Sequence, residues 1–175
     1  MEVIDNAISG DELKIIQENM LASAFPWFFN ANTIDDNTLC GVNDFQFTHV
    51  FYVDANGYGY PESNYFEIIK PIIKRLNCRA LMRVKANLRT VAPEKDMIAG
   101  WHRDYEIKSQ TAIFYVNTNN GYTMFKESGK KVESVENRLV VFPTDLEHCG
   151  VSCTDNKQRV VINFNFLGQE LWVFF

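Results

Sequence analysis

The feature that most constrains the fold is a change of period. From residue 79 onward, ALMRVKANL sets apolar Met82, Val84, Ala86 and Leu88 against polar Arg83, Lys85, Asn87 and Arg89. Alternation at every second residue places the two sets on opposite faces of a β-strand. Further short strand patterns follow at Met97–Tyr105, Thr111–Asn117, Tyr122–Lys126, Arg138–Phe142 and Gln158–Leu167, with an earlier one at Phe47–Val53. Asn119-Asn120-Gly121 and Asp155-Asn156 supply polar turns between them. Such a series predicts a mainly β chain, an antiparallel jelly roll with helices packed outside. An aromatic content of 14%, with 14 Phe, suits that core.

The first part of the chain has the helical period. Ser9-Gly10-Asp11-Glu12 has the S-x-x-E form of a capping box, and Leu13, Ile16, Met20 and Leu21 follow at helical spacing. Residues 10–24 therefore read as an amphipathic helix. A second helix is expected between Ser63 and Asn77, with Phe66, Ile69, Ile73 and Leu76 on one face. Pro71 inside it removes a backbone donor and predicts a kink or a helix start. The 175 residues make one domain, with 1–78 as mixed helical support and 79–175 as the jelly-roll core.

Composition removes several function classes. With 46% hydrophobic and 22% charged residues the chain is neither disordered nor collagen-like. A net charge of −5 argues against a globally basic nucleic-acid binder, while leaving room for a local basic patch. No apolar run approaches the ~18 residues of a membrane span. MEVIDNAISGDE is acidic and lacks the layout of a secretory leader, so a cytoplasmic protein without a membrane partner is expected. Cys40, Cys78, Cys149 and Cys153 form no C-x-x-C pair and read as reduced buried thiols rather than a zinc site.

One face of the 79–90 strand has two readings. Arg83, Lys85, Asn87 and Arg89 either meet solvent or form a pocket wall facing an anion. Between Lys70 and Arg89 there are seven basic residues and no acidic one, which gives weight to the second.

The histidines number three: His49, His102 and His148. Trp101-His102-Arg103-Asp104 contains an H-x-D, and residues two apart on a strand share a face. His148 follows the strand ending at Phe142 and the turn Pro143-Thr144-Asp145. Two imidazoles and a carboxylate on one side of a metal form the 2-His-1-carboxylate triad, whose open positions suit non-haem Fe(II) and O₂. H-x-D alone is a weak motif, and an accidental arrangement of core or surface groups is the competing reading. Arg159, near the start of the last strand, has the planar fork that grips a carboxylate bidentately. His49 reads as a packed strand histidine, Trp101 as core on the opposite face from His102, and Cys149 as a structural thiol turned away from His148. The apolar Leu171–Phe175 reads as a covering strand or an interface.

Between Asn87 and Phe166 the segments WHRDY, TAIFYVN, GYTMF, NRLVVFPTDLEHCGV and QRVVINFNF, with RVKANL and the NTNNG turn, resemble the Fe(II)/2-oxoglutarate-dependent dioxygenase superfamily. The resemblance is to its prolyl-hydroxylase-like branch and to compact members found in phages and marine microbes. It implies a double-stranded β-helix, the cupin-like jelly roll. It implies a catalytic iron held by His102, Asp104 and His148. It implies that Arg159 pairs with the distal carboxylate of 2-oxoglutarate, that Tyr115 hydrogen-bonds the same carboxylate, and that Asn87 also holds the co-substrate. Thr123 and Phe125 fall where the family lines its pocket.

Two positions depart from the family pattern. Asn137 stands where a Gly is common before Arg138, and Asn tolerates φ > 0. Val161 stands where some relatives carry Ser or Thr. The implied activity is hydroxylation of a C–H bond with release of succinate and CO₂, using Fe(II), 2-oxoglutarate and O₂, with ascorbate as a reductant. The substrate is a protein side chain, a small molecule or a nucleobase, and a phage-encoded member would act in the host cytoplasm. The alternative is a non-catalytic, or 2-oxoglutarate-independent, cupin-like metal-binding jelly roll. The sequence leaves the oligomeric state open.

Overall fold

The computed structural model describes residues 1–32, 45–55, 58–94, 100–105 and 107–168. The elements in chain order are β1 (Glu2–Ile4), α1 (Gly10–Met20), β2 (Phe28–Asn30), β3 (Gln46–Ala55), β4 (Tyr58–Pro61), α2 (Phe66–Leu76), β5 (Ala80–Thr90), β6 (Gln110–Tyr115), β7 (Tyr122–Phe125), β8 (Lys131–Glu133), β9 (Arg138–Pro143), β10 (His148–Val151) and β11 (Gln158–Leu167). Eight strands form one sheet in the order β1-β9-β6-β11-β5-β3-β2, with β4 paired to β3, and β10-β7-β8 form a second. Among the described residues the strands pair antiparallel, for example β11 with β5 and β6, and β10 with β7. This is a jelly roll of the double-stranded β-helix type with two flanking helices.

The alternation in β5 divides the large sheet into two faces. On one face Val84 and Ala86 of β5, Phe114 of β6 and Ile162 and Phe164 of β11 join Ile16 and Met20 of α1 and Ile69 and Ile72 of α2 in a fully buried core. Each large aliphatic side chain so buried contributes about 1.5–3 kcal/mol. On the other face Ile113, Tyr115, Val140, Phe142 and Val161 meet Phe125 and Val132 of the small sheet. The space left between the sheets holds the cavity described below.

Local chemistry sets the helix ends. In α1 the Ser9 hydroxyl accepts from the Glu12 amide (3.3 Å) and the Ser9 amide donates to Glu12 Oε2 (2.9 Å), the reciprocal box expected. The helix stops at Met20 rather than 24, where the Trp27 indole donates to the Met20 carbonyl (3.3 Å). α2 begins at Phe66 because Ser63 is engaged elsewhere: its hydroxyl accepts from the Tyr65 amide (3.0 Å) and pairs with His49 Nε2 (2.7 Å). Pro71 lies inside α2, which runs through it to a left-handed Asn77 at φ 46°.

Two further sequence expectations change, and one holds. Residues 1–78 supply four strands where one, Phe47–Val53, is expected; that one is β3, which pairs directly with β5, and β1 lies beside β9. The strand expected at Met97–Tyr105 is absent over its described part: 97–99 lie outside the described residues, and 100–105 carry a single bridge between His102 and His148. Asn137, at φ 61°, adopts the conformation its residue type permits. It also clamps the N-terminal segment by accepting from the Ile8 amide (3.0 Å) and donating to the Ile8 carbonyl (2.8 Å). Leu171–Phe175 and Cys40 lie outside the described residues, while Cys78, Cys149 and Cys153 are free thiols. Among the described residues no helix is long and apolar enough to cross a membrane.

Candidate active site

His102, Asp104 and His148 come together, with one potential ligand atom from each lying within 4.8 Å of the others. The backbone places them in two steps. His148 opens β10, and the amides and carbonyls of His102 and His148 exchange two hydrogen bonds of 3.0 Å. This brings the imidazoles to 4.5 Å between centroids. The chain then bends at Asp104 and sends its carboxylate inward, where it is 4% exposed. Convergence of the H-x-D therefore comes from one bridge and a bend, not from a strand.

Each ligand is held from behind so that one atom stays free. His102 Nδ1 lies 3.1 Å from the Gly100 carbonyl and His148 Nδ1 lies 3.0 Å from the Leu146 carbonyl. A carbonyl only accepts, so both Nδ1 atoms carry the proton and both Nε2 lone pairs are available. Asp104 Oδ2 accepts from the Thr111 hydroxyl (2.7 Å) and from Asn165 Nδ2 (3.1 Å), which leaves Oδ1. Oδ1 lies 4.0 Å from His102 Nε2 and 3.8 Å from Arg83 Nη2. Burial opposes ionisation of Asp104, but His148, the Thr111 hydroxyl, His102 and Arg83 outweigh it and hold the carboxyl below its usual range. Burial, then the neighbouring His102, lowers His148 and favours the neutral imidazole. Two neutral imidazole nitrogens and one carboxylate oxygen are the donor set of a divalent metal such as Fe(II).

The triad opens on a cavity of about 200 Å³ between the sheets. Arg83, Lys85, Asn87 and Arg89 all line it, so the polar face of β5 is a pocket wall and not a solvated surface. Arg159 lines it too and is 4% exposed. Its Nε donates to the Ser134 hydroxyl (2.9 Å), its Nη2 donates to the Thr123 hydroxyl (3.2 Å), and its guanidinium stands 5.6 Å from the Tyr115 ring centre. Burial lowers the Arg159 pKa, yet a guanidinium keeps its proton in proteins. Gly121 makes room: a Cβ there would lie 2.8 Å from Arg159 Cδ and 2.7 Å from the Val151 carbonyl oxygen.

Asn87 lines the cavity, and its buried Oδ1 has no hydrogen-bond partner. Tyr115 is fully buried behind Thr123, to whose hydroxyl it donates (2.8 Å). Thr123 lines the cavity, whereas Phe125 packs beneath Phe142, with ring centres 4.9 Å apart. His49 is buried away from the site, with Nδ1 2.9 Å from the Pro26 carbonyl. Trp101 packs against Tyr122, Cys149 and Val151, on the far side from the metal ligands. Cys149 is fully buried and its thiol is pushed up to about 11 by desolvation.

Thr111, Asn165 and Ser134 escaped the sequence analysis. The signal for Asn165 was present: Arg159, Asn163 and Asn165 fall at even spacing in β11, opposite buried Val160, Ile162, Phe164 and Phe166. A polar residue at that period on a fully buried strand marks an inward functional face.

The architecture is shared with solved structures. A 2OG-Fe(II) oxygenase family oxidoreductase from Burkholderia pseudomallei aligns with TM-score 0.67 and 12% identity over 94% of this chain and 84% of its own. The non-haem α-ketoglutarate-dependent epimerase SnoN from nogalamycin biosynthesis aligns with TM-score 0.63 and 9% identity over 95% and 76%. A Trichoplax adhaerens prolyl hydroxylase, in complex with a hypoxia-inducible-factor peptide, aligns with TM-score 0.61 and 13% identity over 94% and 82%. The fold is that of the Fe(II)/2-oxoglutarate-dependent oxygenases. No protein-family model matches the chain, and no curated protein does. One of the three similar structures is an epimerase, so the shared architecture does not choose the reaction.

Proposed function

We propose that the chain is an Fe(II)- and 2-oxoglutarate-dependent oxygenase that hydroxylates a C–H bond of its substrate, with O₂ and 2-oxoglutarate consumed and succinate and CO₂ released. The observation that supports this most is the pairing of an open three-ligand set with a buried arginine in the same cavity. Structural metal sites are usually closed, and a purely structural site has no use for a desolvated guanidinium nearby.

His102 Nε2, His148 Nε2 and Asp104 Oδ1 would hold the metal. Iron bound there supplies O₂ activation coupled to the oxidative decarboxylation of 2-oxoglutarate. The protein's part is to bind, orient and exclude water. Arg159 receives the distal carboxylate with charge-assisted hydrogen bonds. Thr123 accepts from both Tyr115 and Arg159, so its own proton points away from them and is free for the same carboxylate. Tyr115 thus acts through Thr123 as a positioning residue. Val161 and Ile113 give the cavity apolar walls beside the co-substrate path, and Asn87 offers it a polar contact.

The test is calorimetry of the anaerobic protein with Mn(II) and then 2-oxoglutarate, followed by succinate formation with Fe(II), ascorbate and air. One metal and one 2-oxoglutarate per chain are expected. Arg159→Ala should keep the metal and weaken 2-oxoglutarate by about tenfold or more, the scale of a lost charge-assisted contact. Iron-loaded protein that neither binds 2-oxoglutarate nor forms succinate overturns the proposal.

A further inference from the structure

Most buried asparagine amides of this protein are bonded at both ends. Asn117 donates to the Gln158 carbonyl (2.9 Å) and accepts from the Val160 amide (3.0 Å). Asn119 donates to the Asn117 carbonyl (3.2 Å) and accepts from the Gly121 amide (3.0 Å). Asn165 accepts from Arg83 Nε (3.2 Å) and donates to Asp104 Oδ2 and the Thr111 hydroxyl, both at 3.1 Å. Asn87 and Asn163 differ. Both line the cavity, and the Oδ1 atom of each is buried with no hydrogen-bond partner among the described residues. A buried acceptor without a donor lowers stability, and inside a ligand cavity it marks a place that a ligand completes. Asn87 serves the co-substrate in the reading above, whereas Asn163 has no part in it.

Strand register fixes where Asn163 stands. On one face of β11 it follows Arg159 by four residues and precedes Asn165 by two. Those steps are about 13 Å and about 7 Å along a strand. Its cross-strand neighbours are Lys85 of β5 and Ile113 of β6. Asn163 therefore lies toward the end of the cavity where Asn165 holds Asp104, away from the carboxylate that Arg159 receives.

The missing partner of Asn163 Oδ1 is a hydrogen-bond donor. An ionised carboxylate or phosphate has none to give. A cationic donor would enter against the like charge of Arg83, Arg103 and Arg159, which line the same cavity. Lys85 and Arg89 line it as well, with contacts of their own. An uncharged donor remains. An asparagine amide offers an acceptor and donors on one edge, so it pairs at two points with a group that sets a donor beside an acceptor. Rotation about its soft Cβ–Cγ torsion presents that edge to the cavity.

Building on the oxygenase reading, we propose that Asn163 selects the substrate by pairing with an uncharged amide edge, an N–H next to a C=O, carried close to the C–H bond that reacts. The group binds alongside 2-oxoglutarate and not in its place. Asn163 is a specificity residue, and the fold does not depend on its amide.

The experiment uses the full chain. Urea denaturation of metal-free Asn163→Leu should give a midpoint at or above wild type, because the substitution removes a buried acceptor that has no donor. Binding is then read on protein loaded with Mn(II) and saturating 2-oxoglutarate under nitrogen, from the broadening that bound Mn(II) causes in a ligand's NMR lines. Two sets are titrated: benzamide with N,N-dimethylbenzamide and benzoate, and uridine with 3-methyluridine. At least one N–H member should bind about fivefold more tightly than its methylated partner, and the set that shows it tells a carboxamide from a cyclic imide. Benzoate should bind more weakly than benzamide. Asn163→Leu should reduce the N–H preference to about twofold or less, with Mn(II) and 2-oxoglutarate affinities near wild type. A midpoint well below wild type, binding indifferent to N-methylation, benzoate tighter than benzamide, or a preference retained in Asn163→Leu each overturns the proposal. Failure of the wild-type protein to bind Mn(II) or 2-oxoglutarate would instead sink the oxygenase reading.

Discussion

The two faces of the large sheet use the same strands for opposite ends. Toward the helices, β5, β6 and β11 present Val84, Ala86, Phe114, Ile162 and Phe164, all fully buried and apolar. Toward the small sheet the same strands present Arg83, Lys85, Asn87, Thr111, Arg159, Asn163 and Asn165 around a cavity. One face gains stability by excluding water from carbon. The other gathers charged and polar groups around a cavity, at a desolvation cost that the first face offsets. In such a molecule, stability and ligand binding are expected to separate by face, and substitutions can test the separation.

The largest effect is expected at the triad. His102→Ala or His148→Ala should weaken Mn(II) binding by well over about a hundredfold, beyond the cost of losing an outer partner. The urea midpoint of the metal-free His102→Ala protein should stay near wild type. A metal titration unchanged by either substitution would mean that the ligands are misassigned. On the helix-covered face, Phe164→Ala should cost about 3–5 kcal/mol of stability by chemical denaturation. Metal affinity in the folded fraction should barely change; a large loss there would show that the two faces are coupled.

Thr111→Val sharpens the comparison, because it keeps the shape and removes the donor to Asp104 Oδ2. Metal affinity should fall by about tenfold with little change in the melting temperature. The smallest effect concerns His49, whose pKa is lowered by burial despite its bond to the Pro26 carbonyl. A histidine lowered in the fold binds its proton more readily when unfolded, so stability rises with pH across its range. Urea midpoints should therefore decline as pH falls below about 6.5 and level off under the lowered value. His49→Gln should flatten that slope.

The candidate site was legible where its residues sit on long, strictly alternating strands. β5 and β11 show the period in their sequences, and Arg83, Asn87 and Arg159 project as the pattern requires. Asn137 likewise announced its positive φ by its residue type. The 100–105 segment misled, because H-x-D spacing is equally compatible with a strand and with a bridged bend. Short β1, β2 and β8 have three residues each, too few to display a period.

The amino-acid order by itself determined the strand faces, the capped first helix and the set of side chains able to ligate a metal, since all of these follow from local periodicity and residue chemistry. Only the tertiary structure decided that His148 pairs with His102 across a single bridge, that Thr111 and Asn165 hold one oxygen of Asp104, and that Tyr115 reaches the cavity through Thr123. Those relations join residues distant along the chain. They are set by strand register and sheet closure, for which a local pattern carries no record.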